Sequence, residues 1–178
     1  MQKIDREKWF TAGFVILERE GFSKITIDRL CGSLGITKGA FYHRFKNIDG
    51  YIEALMHYWL ECNTHAFIRG VEGLETPERK RRMLADRAAY ASNRCEEAIR
   101  GWGHADRIVR SYVEQADRVR LEYLTTLNID SGLKPAEARD MATVQYALLV
   151  GMQQICPALP PHRFKALQDL VIDKFSMG

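Results

Sequence analysis

Apolar residues recur three and four positions apart along the whole 178-residue chain, and no stretch alternates apolar and polar residues for long enough to indicate a strand. Glycine and proline interrupt this pattern at intervals that suit helices of ordinary length. Hydrophobic residues make up 46% of the chain, which is sufficient for a buried core. We therefore predict an all-α fold of about nine helices.

Three helices are predicted near the N-terminus, over residues 6–20, 27–34 and 38–45. Thr26 is a typical N-cap for the second helix, Gly35 suits its end, and Thr37 can cap the third. Two short helices joined by a tight turn that contains glycine are typical of a DNA-binding helix-turn-helix. We predict a three-helix DNA-binding head over 1–48 and a second, larger helical bundle over 49–178.

Further helices are predicted within this bundle, the fourth capped by Asn47 and continuing through Phe67, and the others over 77–97, 107–128, 135–155 and 161–175. Glycines flank Trp102 on both sides, and they free the backbone there. We expect a bend or a short helix at 101–104, which would give a ligand site a mobile wall.

Positive charge is concentrated at the N-terminus. Residues 1–48 contain nine Lys and Arg against five Asp and Glu, whereas the remainder contains 17 against 18. This distribution favours a polyanionic partner for the N-terminal head. The sequence shows neither an export signal nor an apolar run that could span a bilayer, so we expect a cytoplasmic protein without a membrane partner.

The histidines and cysteines show no spacing typical of a catalytic or metal site. The five histidines show no metal-binding pattern, and no spacing pairs them with an acid or a nucleophile. The four cysteines lie about 30 or more residues apart, and we expect each to be a buried, small apolar residue. We therefore expect no enzyme activity, no metal and no cofactor, in preference to an all-α enzyme.

The segment 26–46 carries the parts of a groove-binding helix. Leu30, Leu34, Ile36, Phe41 and Phe45 can pack inward. The residues predicted to face outward are Lys38, Gly39, Ala40, His43 and Arg44. Small residues allow a helix to approach the floor of a major groove, while Tyr42 and Lys46 can reach the sugar-phosphate wall.

The run G-F-x3-T-I-x2-L-C-x3-G-I-T-K-G-A-F-Y-H-R-F-K-N, residues 21–47, resembles the helix-turn-helix of the TetR family of bacterial transcriptional regulators. The resemblance implies a homodimer that binds a palindromic operator in double-stranded DNA, acts as a repressor and is released by a small-molecule effector. An activator or a ligand-independent DNA-binding protein is the alternative.

The resemblance also implies individual DNA contacts. Thr26 and Thr37 match positions at phosphates, and the positions nearest the base edges are Lys38, Gly39 and Ala40. Tyr42 and His43 match residues that touch phosphate or thymine methyl groups. Two positions depart from the family pattern: Arg44 stands where His is usual, and Ile48 where a phosphate-binding Lys is common, a role that Lys46 could take.

The dimer surface implied by the resemblance is formed by the helices over 135–155 and 161–175. Its apolar stripe would consist of Met141, Val144, Leu148, Met152, Phe164, Leu167, Val171 and Phe175. The resemblance does not specify the chemical class of the effector. The residues predicted to line its pocket are Trp59, Asn63, Phe67, Arg87, Tyr90, Trp102, His104 and Tyr112, with core packing within one subunit as the alternative for each.

Overall fold

The computed structural model describes residues 5–91 and 93–176, and every regular element in these two stretches is a helix. The predicted all-α fold is confirmed. The chain divides into two compact units. One extends to Leu60 and includes Ala98–Val113, and the other comprises Glu61–Glu97 and the residues from Glu114 onward.

The first unit contains four complete α-helices, which are α1 (Arg6–Glu20), α2 (Ile27–Leu34), α3 (Lys38–Phe45) and α4 (Ile48–Leu60), with a short 3-10 turn at Phe22–Lys24. Side chains and glycine define several of their ends, but Thr37, which the sequence predicts to cap α3, makes no side-chain capping hydrogen bond. The Thr26 hydroxyl accepts a hydrogen bond from the Arg29 N–H at 3.2 Å, and Asn47 Oδ1 accepts one from the Gly50 N–H at 2.8 Å. Gly35 ends α2 in the left-handed region, at φ 65°.

An aromatic cluster of Trp9, Phe10, Phe41, Phe45 and Tyr51 forms the core of the first unit. The Trp9 and Phe45 rings meet edge to face at 5.4 Å, and the Phe45 and Tyr51 rings do so at 5.0 Å. The Tyr51 hydroxyl donates a hydrogen bond to the Trp9 carbonyl at 2.9 Å, and burial raises the pKa of this hydroxyl. The cluster therefore ties α3 and α4 to α1.

The helix α4 packs as part of the first unit, although the predicted division places its residues in the larger domain. Leu55 and Met56 are fully buried. A Cβ on Gly13 of α1 would lie 3.3 Å from Leu55 Cδ2, so the two helices are in close contact. As a packing boundary, Leu60 replaces the predicted 48; the functional division into 1–48 and 49–178 stays a prediction.

The second unit begins with a π-helical turn at Glu61–His65, and its complete α-helices are α5 (Ala66–Arg69), α6 (Pro77–Tyr90), α9 (Pro135–Ile155) and α10 (Pro161–Ser176). Two helices, α7 (Asn93–Ala105) and α8 (Arg107–Asp130), contribute residues to both units. The predicted fourth helix corresponds to α4, the π-turn and α5. If α4, the π-turn and α5 are counted as one helix, the described part of the chain contains nine helices.

The predicted fifth helix begins at Pro77 as expected, but its predicted end at 97 is wrong, and so is the bend or short helix expected at 101–104. The helix α6 ends at Tyr90, and α7 continues through both glycines around Trp102. Each glycine costs a helix about 1 kcal/mol, but Ile99 and Trp102 are both buried on α7, and this packing outweighs the local preference. The expected mobile wall at Trp102 is accordingly absent from the described structure.

The four cysteines are reduced thiols in different environments. Cys31 and Cys95 are buried as expected, whereas Cys62 is half-buried and Cys156 is exposed, so the expectation fails for the latter two. Cys156 lies at the C-cap of α9, where the helix ends before the proline-rich link to α10. Among the described residues, no helix has the length and apolarity needed to cross a membrane.

We expect Gly13→Ala to lower the free energy of unfolding by about 1–3 kcal/mol, because its Cβ would overlap the Tyr51 hydroxyl oxygen. The matched control is Gly32→Ala on exposed α2, where a Cβ meets open space and should stabilise the helix by about 0.5–1 kcal/mol. Urea unfolding followed by circular dichroism measures both changes. A Gly13→Ala variant as stable as the parent would contradict the close packing of α1 on α4.

Candidate functional site

The helix α3 presents one face to the core of the first unit and the other to solvent. Phe41 is fully buried and Phe45 is 6% exposed. The exposed residues are Lys38, Gly39, Tyr42 and His43. The Tyr42 side chain is 51% exposed, although its ring also meets Phe41 edge to face at 5.9 Å. The outward orientation predicted for Lys38, Gly39 and His43 agrees with these positions.

The other predicted DNA-contacting residues border this face. Thr26 and Thr37 are exposed at the N-caps of α2 and α3, and Lys46 is exposed directly after α3 with φ 64°. Ala40 and Arg44 are half-buried, so they are less accessible than predicted. Two helix N-termini and several cations therefore border a single surface.

Lys38 is paired with a carboxylate in this structure. Its ammonium lies 2.5 Å from Asp28 on α2, and the hydrogen bond to Asp28 raises the pKa of Lys38 above its ordinary value. Both side chains are exposed, and ion pairs of this kind contribute little to stability. Lys38 can therefore exchange Asp28 for another anion, such as a phosphate.

The second unit contains a cavity of about 150 Å³. Apolar side chains from five helices supply most of its wall, among them Phe67, Leu84, Leu124, Leu149, Met152 and Val171. An engineered apolar cavity of roughly this volume binds benzene. A small, largely apolar molecule is consequently the occupant that this cavity suits best.

One end of the cavity carries a buried ion pair. The Arg120 guanidinium lies 3.2 Å from the Glu96 carboxylate and also donates to the Tyr146 hydroxyl at 3.3 Å. Its other donors meet Thr64 Oγ1 at 2.9 Å and the Asn63 carbonyl at 3.2 Å. Burial alone would lower the pKa of Arg120, but Glu96 and Tyr146 raise it above its ordinary value. The guanidinium therefore stays charged with its donors engaged.

The eight predicted effector residues are not brought together. Asn63 and Phe67 line the cavity. Arg87 instead closes the end of α5, donating to the Ala66 carbonyl at 3.1 Å and to that of Gly70 at 3.4 Å. Arg87 therefore lies among the apolar positions of α6 but binds carbonyls at the end of α5, and it does not line the cavity.

The other five predicted effector residues lie outside the cavity lining. Trp59 is buried in the first unit, and Trp102 stacks on Phe22 at 6.3 Å between ring centroids. Tyr112 is half-buried, and burial followed by the charge of Glu53 raises its pKa. The remaining two, Tyr90 and His104, are exposed.

Sequence reasoning missed the polar residues of the cavity, above all Arg120 and Glu96. Arg120 follows Ala116 by four positions and precedes Leu127 by seven, and both neighbours are buried on the same face of α8. A lone cation within an apolar stripe is rarely buried unless it is paired. The place of Arg120 within the apolar stripe of α8 was therefore the sequence signal for a paired cation. Glu96 lies on α7, whose start the sequence did not reveal.

Comparison with known proteins identifies the N-terminal segment and the fold. Residues 10–55 match the family model described as bacterial regulatory proteins, tetR family. No curated protein matches the sequence. Among solved structures, a TetR transcriptional regulator from Legionella pneumophila superposes with a TM-score of 0.83 at 10% identity, over 98% of this chain and 99% of that one.

Two further solved structures are similar along their whole length. A transcriptional regulator from Rhodococcus sp. Rha1 has a TM-score of 0.80 at 18% identity, covering 96% of this chain and 95% of that one. A transcriptional regulator from Saccharomonospora viridis, in complex with choline, has a TM-score of 0.78 at 11% identity, covering 94% and 95%.

The pairing of α2 with α3 and the exposed face of α3 define a helix-turn-helix protein, and its all-helical second unit contains a cavity of about 150 Å³. Residues 10–55, which include this helix-turn-helix, are therefore similar to the tetR family of bacterial regulatory proteins, and the fold is that of the solved transcriptional regulators above. Within the described residues, no group of three or more His, Cys, Asp and Glu side chains is arranged to hold a metal ion.

We expect Glu96→Gln to lower the free energy of unfolding by about 3 kcal/mol, because it leaves the buried Arg120 charge without its counter-ion. Glu78→Gln is the matched control, since it removes an exposed pair with Arg82 at a similar N–O distance of 3.1 Å. The control should change stability by less than about 0.5 kcal/mol. If chemical unfolding shows that Glu96→Gln and Glu78→Gln lower the free energy of unfolding equally, the Arg120–Glu96 pair is hydrated and the prediction is wrong.

Proposed function

We propose that this chain is a homodimeric repressor that binds a palindromic operator through α3 and is released when a small molecule occupies the cavity of the second unit. The observation that carries the DNA-binding part is the division of α3 into a buried face, formed by Phe41 and Phe45, and an exposed face with Lys38 and Tyr42.

The chemistry of the exposed surface supports the proposed DNA contacts. Gly39 and the half-buried Ala40 add little bulk to the first turn of α3, so base edges can approach it. The N–H groups at the starts of α2 and α3, behind Thr26 and Thr37, suit phosphates. Tyr42, His43, Arg44 and Lys46 would contact the sugar-phosphate wall or thymine methyl groups, as the family resemblance implies.

Exposed apolar residues on the last two helices support the proposed homodimer. Val144 and Leu148 on α9 are 46% and 40% exposed, and Leu167 on α10 is 38% exposed. Phe164, in contrast, is fully buried within its own unit, and Met141, Met152 and Val171 are half-buried. The side chain of Phe175 lies outside the described residues. A second copy that covers this face would present two recognition helices, about 34–36 Å apart, to successive major grooves.

The cavity supports the proposed effector, since it is apolar, concave and bordered by a few polar groups, as small-molecule sites usually are. The relative from Saccharomonospora viridis contains choline. A ligand that binds one spacing of the two DNA-binding heads better than another would change operator affinity by its differential affinity for the two states.

The helical run from α4 supports a route for this coupling. It continues through the π-turn into α5, and the π-turn and α5 supply Asn63, Thr64 and Phe67 to the cavity wall. The position of the operator relative to a promoter decides between repression and activation, so an activator remains the second candidate. A ligand-independent DNA-binding protein would leave the cavity without a role.

We expect Lys38→Ala and Tyr42→Ala to abolish measurable binding at physiological salt to an operator selected from random DNA, while weak binding persists at low salt, without loss of helix content. Lys38→Ala should also weaken the dependence of log affinity on log salt concentration by about one unit, since one phosphate contact is lost. Arg118→Ala, which removes an exposed cation outside the helix-turn-helix, is the control and should bind normally. Gel-shift titrations at several salt concentrations measure these effects, and unchanged affinity in both head variants would refute the assignment.

We expect Val144→Asp to convert the dimer into a monomer, because a charge would be placed in the centre of the proposed apolar interface. Ile129→Asp provides the control, since Ile129 is a similarly exposed apolar residue, at 42%, on α8. Sedimentation velocity distinguishes the two states. A parent protein that sediments as a monomer at all concentrations, or a Val144→Asp variant that remains dimeric, would exclude this interface.

A further inference from the structure

The cavity wall contains polar atoms that no described residue satisfies. Gln153 is 3% exposed and Gln168 is 7% exposed, yet the Oε1 atom of each has no hydrogen-bond partner among the described residues. The Tyr123 hydroxyl is likewise buried without a partner in that part of the chain. All three residues line the cavity. Most buried polar groups in proteins are hydrogen-bonded, so two unused acceptors in one cavity point to a ligand that donates.

The amide of Gln153 is only partly engaged. Its Nε2 donates to Asn93 Oδ1 at 3.4 Å, which leaves the oxygen available. Gln145 provides a contrast in the same wall, because its Oε1 already accepts a hydrogen bond from Asn128 Nδ2 at 3.2 Å. Two of the three glutamines lining the cavity therefore carry a free acceptor.

The charged groups of the cavity are already satisfied. Arg120 and Glu96 neutralise each other. Arg81 donates to the Leu127 carbonyl at 3.2 Å and to Ser131 Oγ at 3.0 Å. A charged ligand would lose its hydration, and an anionic one could pair with Arg81 only by displacing these hydrogen bonds, which is unfavourable in an apolar site.

We infer that the cavity binds a neutral, mainly apolar molecule of about one ring in size that carries an O–H or N–H donor for Gln153 or Gln168. This inference rests on the proposed function, because it names the chemistry of the effector site. The apolar wall binds the body of the ligand, and the free glutamine oxygens select against a hydrocarbon of the same shape. A partner left unpaired in a site built for a hydrogen bond lowers affinity strongly.

Binding of phenol, toluene, benzoate and benzylammonium to the full-length protein tests this inference. Phenol and toluene have the same number of heavy atoms and differ in one hydroxyl. Dissociation constants are measured by NMR titration for the parent, Gln153→Leu, Gln168→Leu and the double variant, with Gln145→Leu as the matched control. Thermal unfolding checks that each variant folds, and the single variants suffice if the double variant does not.

The parent should bind phenol at least about tenfold more tightly than benzoate or benzylammonium. The affinity of phenol relative to toluene should fall about tenfold in the double variant and in at least one single variant, and stay unchanged in Gln145→Leu. An unchanged ratio in all variants, tighter binding of a charged probe, or no binding of any probe overturns the ligand class.

Binding of the selected operator DNA, measured on the same parent preparation, separates the two conclusions. A protein that binds DNA but fails the probe test retains the proposed DNA-binding function and loses only the ligand class. A protein that passes the probe test but binds no DNA loses the proposed function, while the chemistry of the cavity stands.

Discussion

Burial of Phe41 and Phe45 against Trp9 and Tyr51 is the constraint on which the proposed DNA-binding surface depends. The helix α3 has only eight residues, and isolated helices shorter than about 12–15 residues are marginal in water. Its stability must therefore come from the aromatic cluster rather than from helix propensity. Because the two phenylalanines are four positions apart, they fix one face inward, and this fixes the opposite face, with Lys38 and Tyr42, outward.

In the second unit, hydrogen bonds to one charged side chain, that of Arg120, join several elements, whereas an aromatic cluster does so in the first unit. Arg120 on α8 has partners on the π-turn, on α7 through Glu96 and on α9 through Tyr146. Buried ion pairs add little net stability compared with apolar packing, but removing one partner is costly. The pair therefore favours one arrangement of these elements over alternatives. The charges of Arg120 and Glu96 offset each other in the cavity wall. The Oε1 atoms of Gln153 and Gln168 and the Tyr123 hydroxyl have no hydrogen-bond partner among the described residues.

Local signals explain how much could be predicted from the sequence. The N-cap at Thr26, the left-handed Gly35 and the spacing of Phe41 and Phe45 depend on neighbouring residues only, so the helix-turn-helix was predicted nearly to the residue. The end of α6 and the continuity of α7 through Gly101 depend on tertiary packing, which glycine propensity cannot indicate. The cavity as a whole was not predicted for the same reason, since its wall combines residues from six α-helices and the π-turn.

The π-turn joins α4, which belongs to the unit with the proposed DNA-binding surface, to α5, which lines the proposed effector cavity. A π-turn interrupts the regular i to i−4 hydrogen-bond ladder, and such interruptions are frequent at functional sites. Here the Asn63 carbonyl and the Thr64 hydroxyl accept hydrogen bonds from Arg120, so the geometry of the turn depends on the guanidinium that borders the cavity. A ligand that displaces Arg120 would change these two hydrogen bonds to the turn. The helix that continues from the turn toward the N-terminus is α4, which packs on α1 in the core that holds α3.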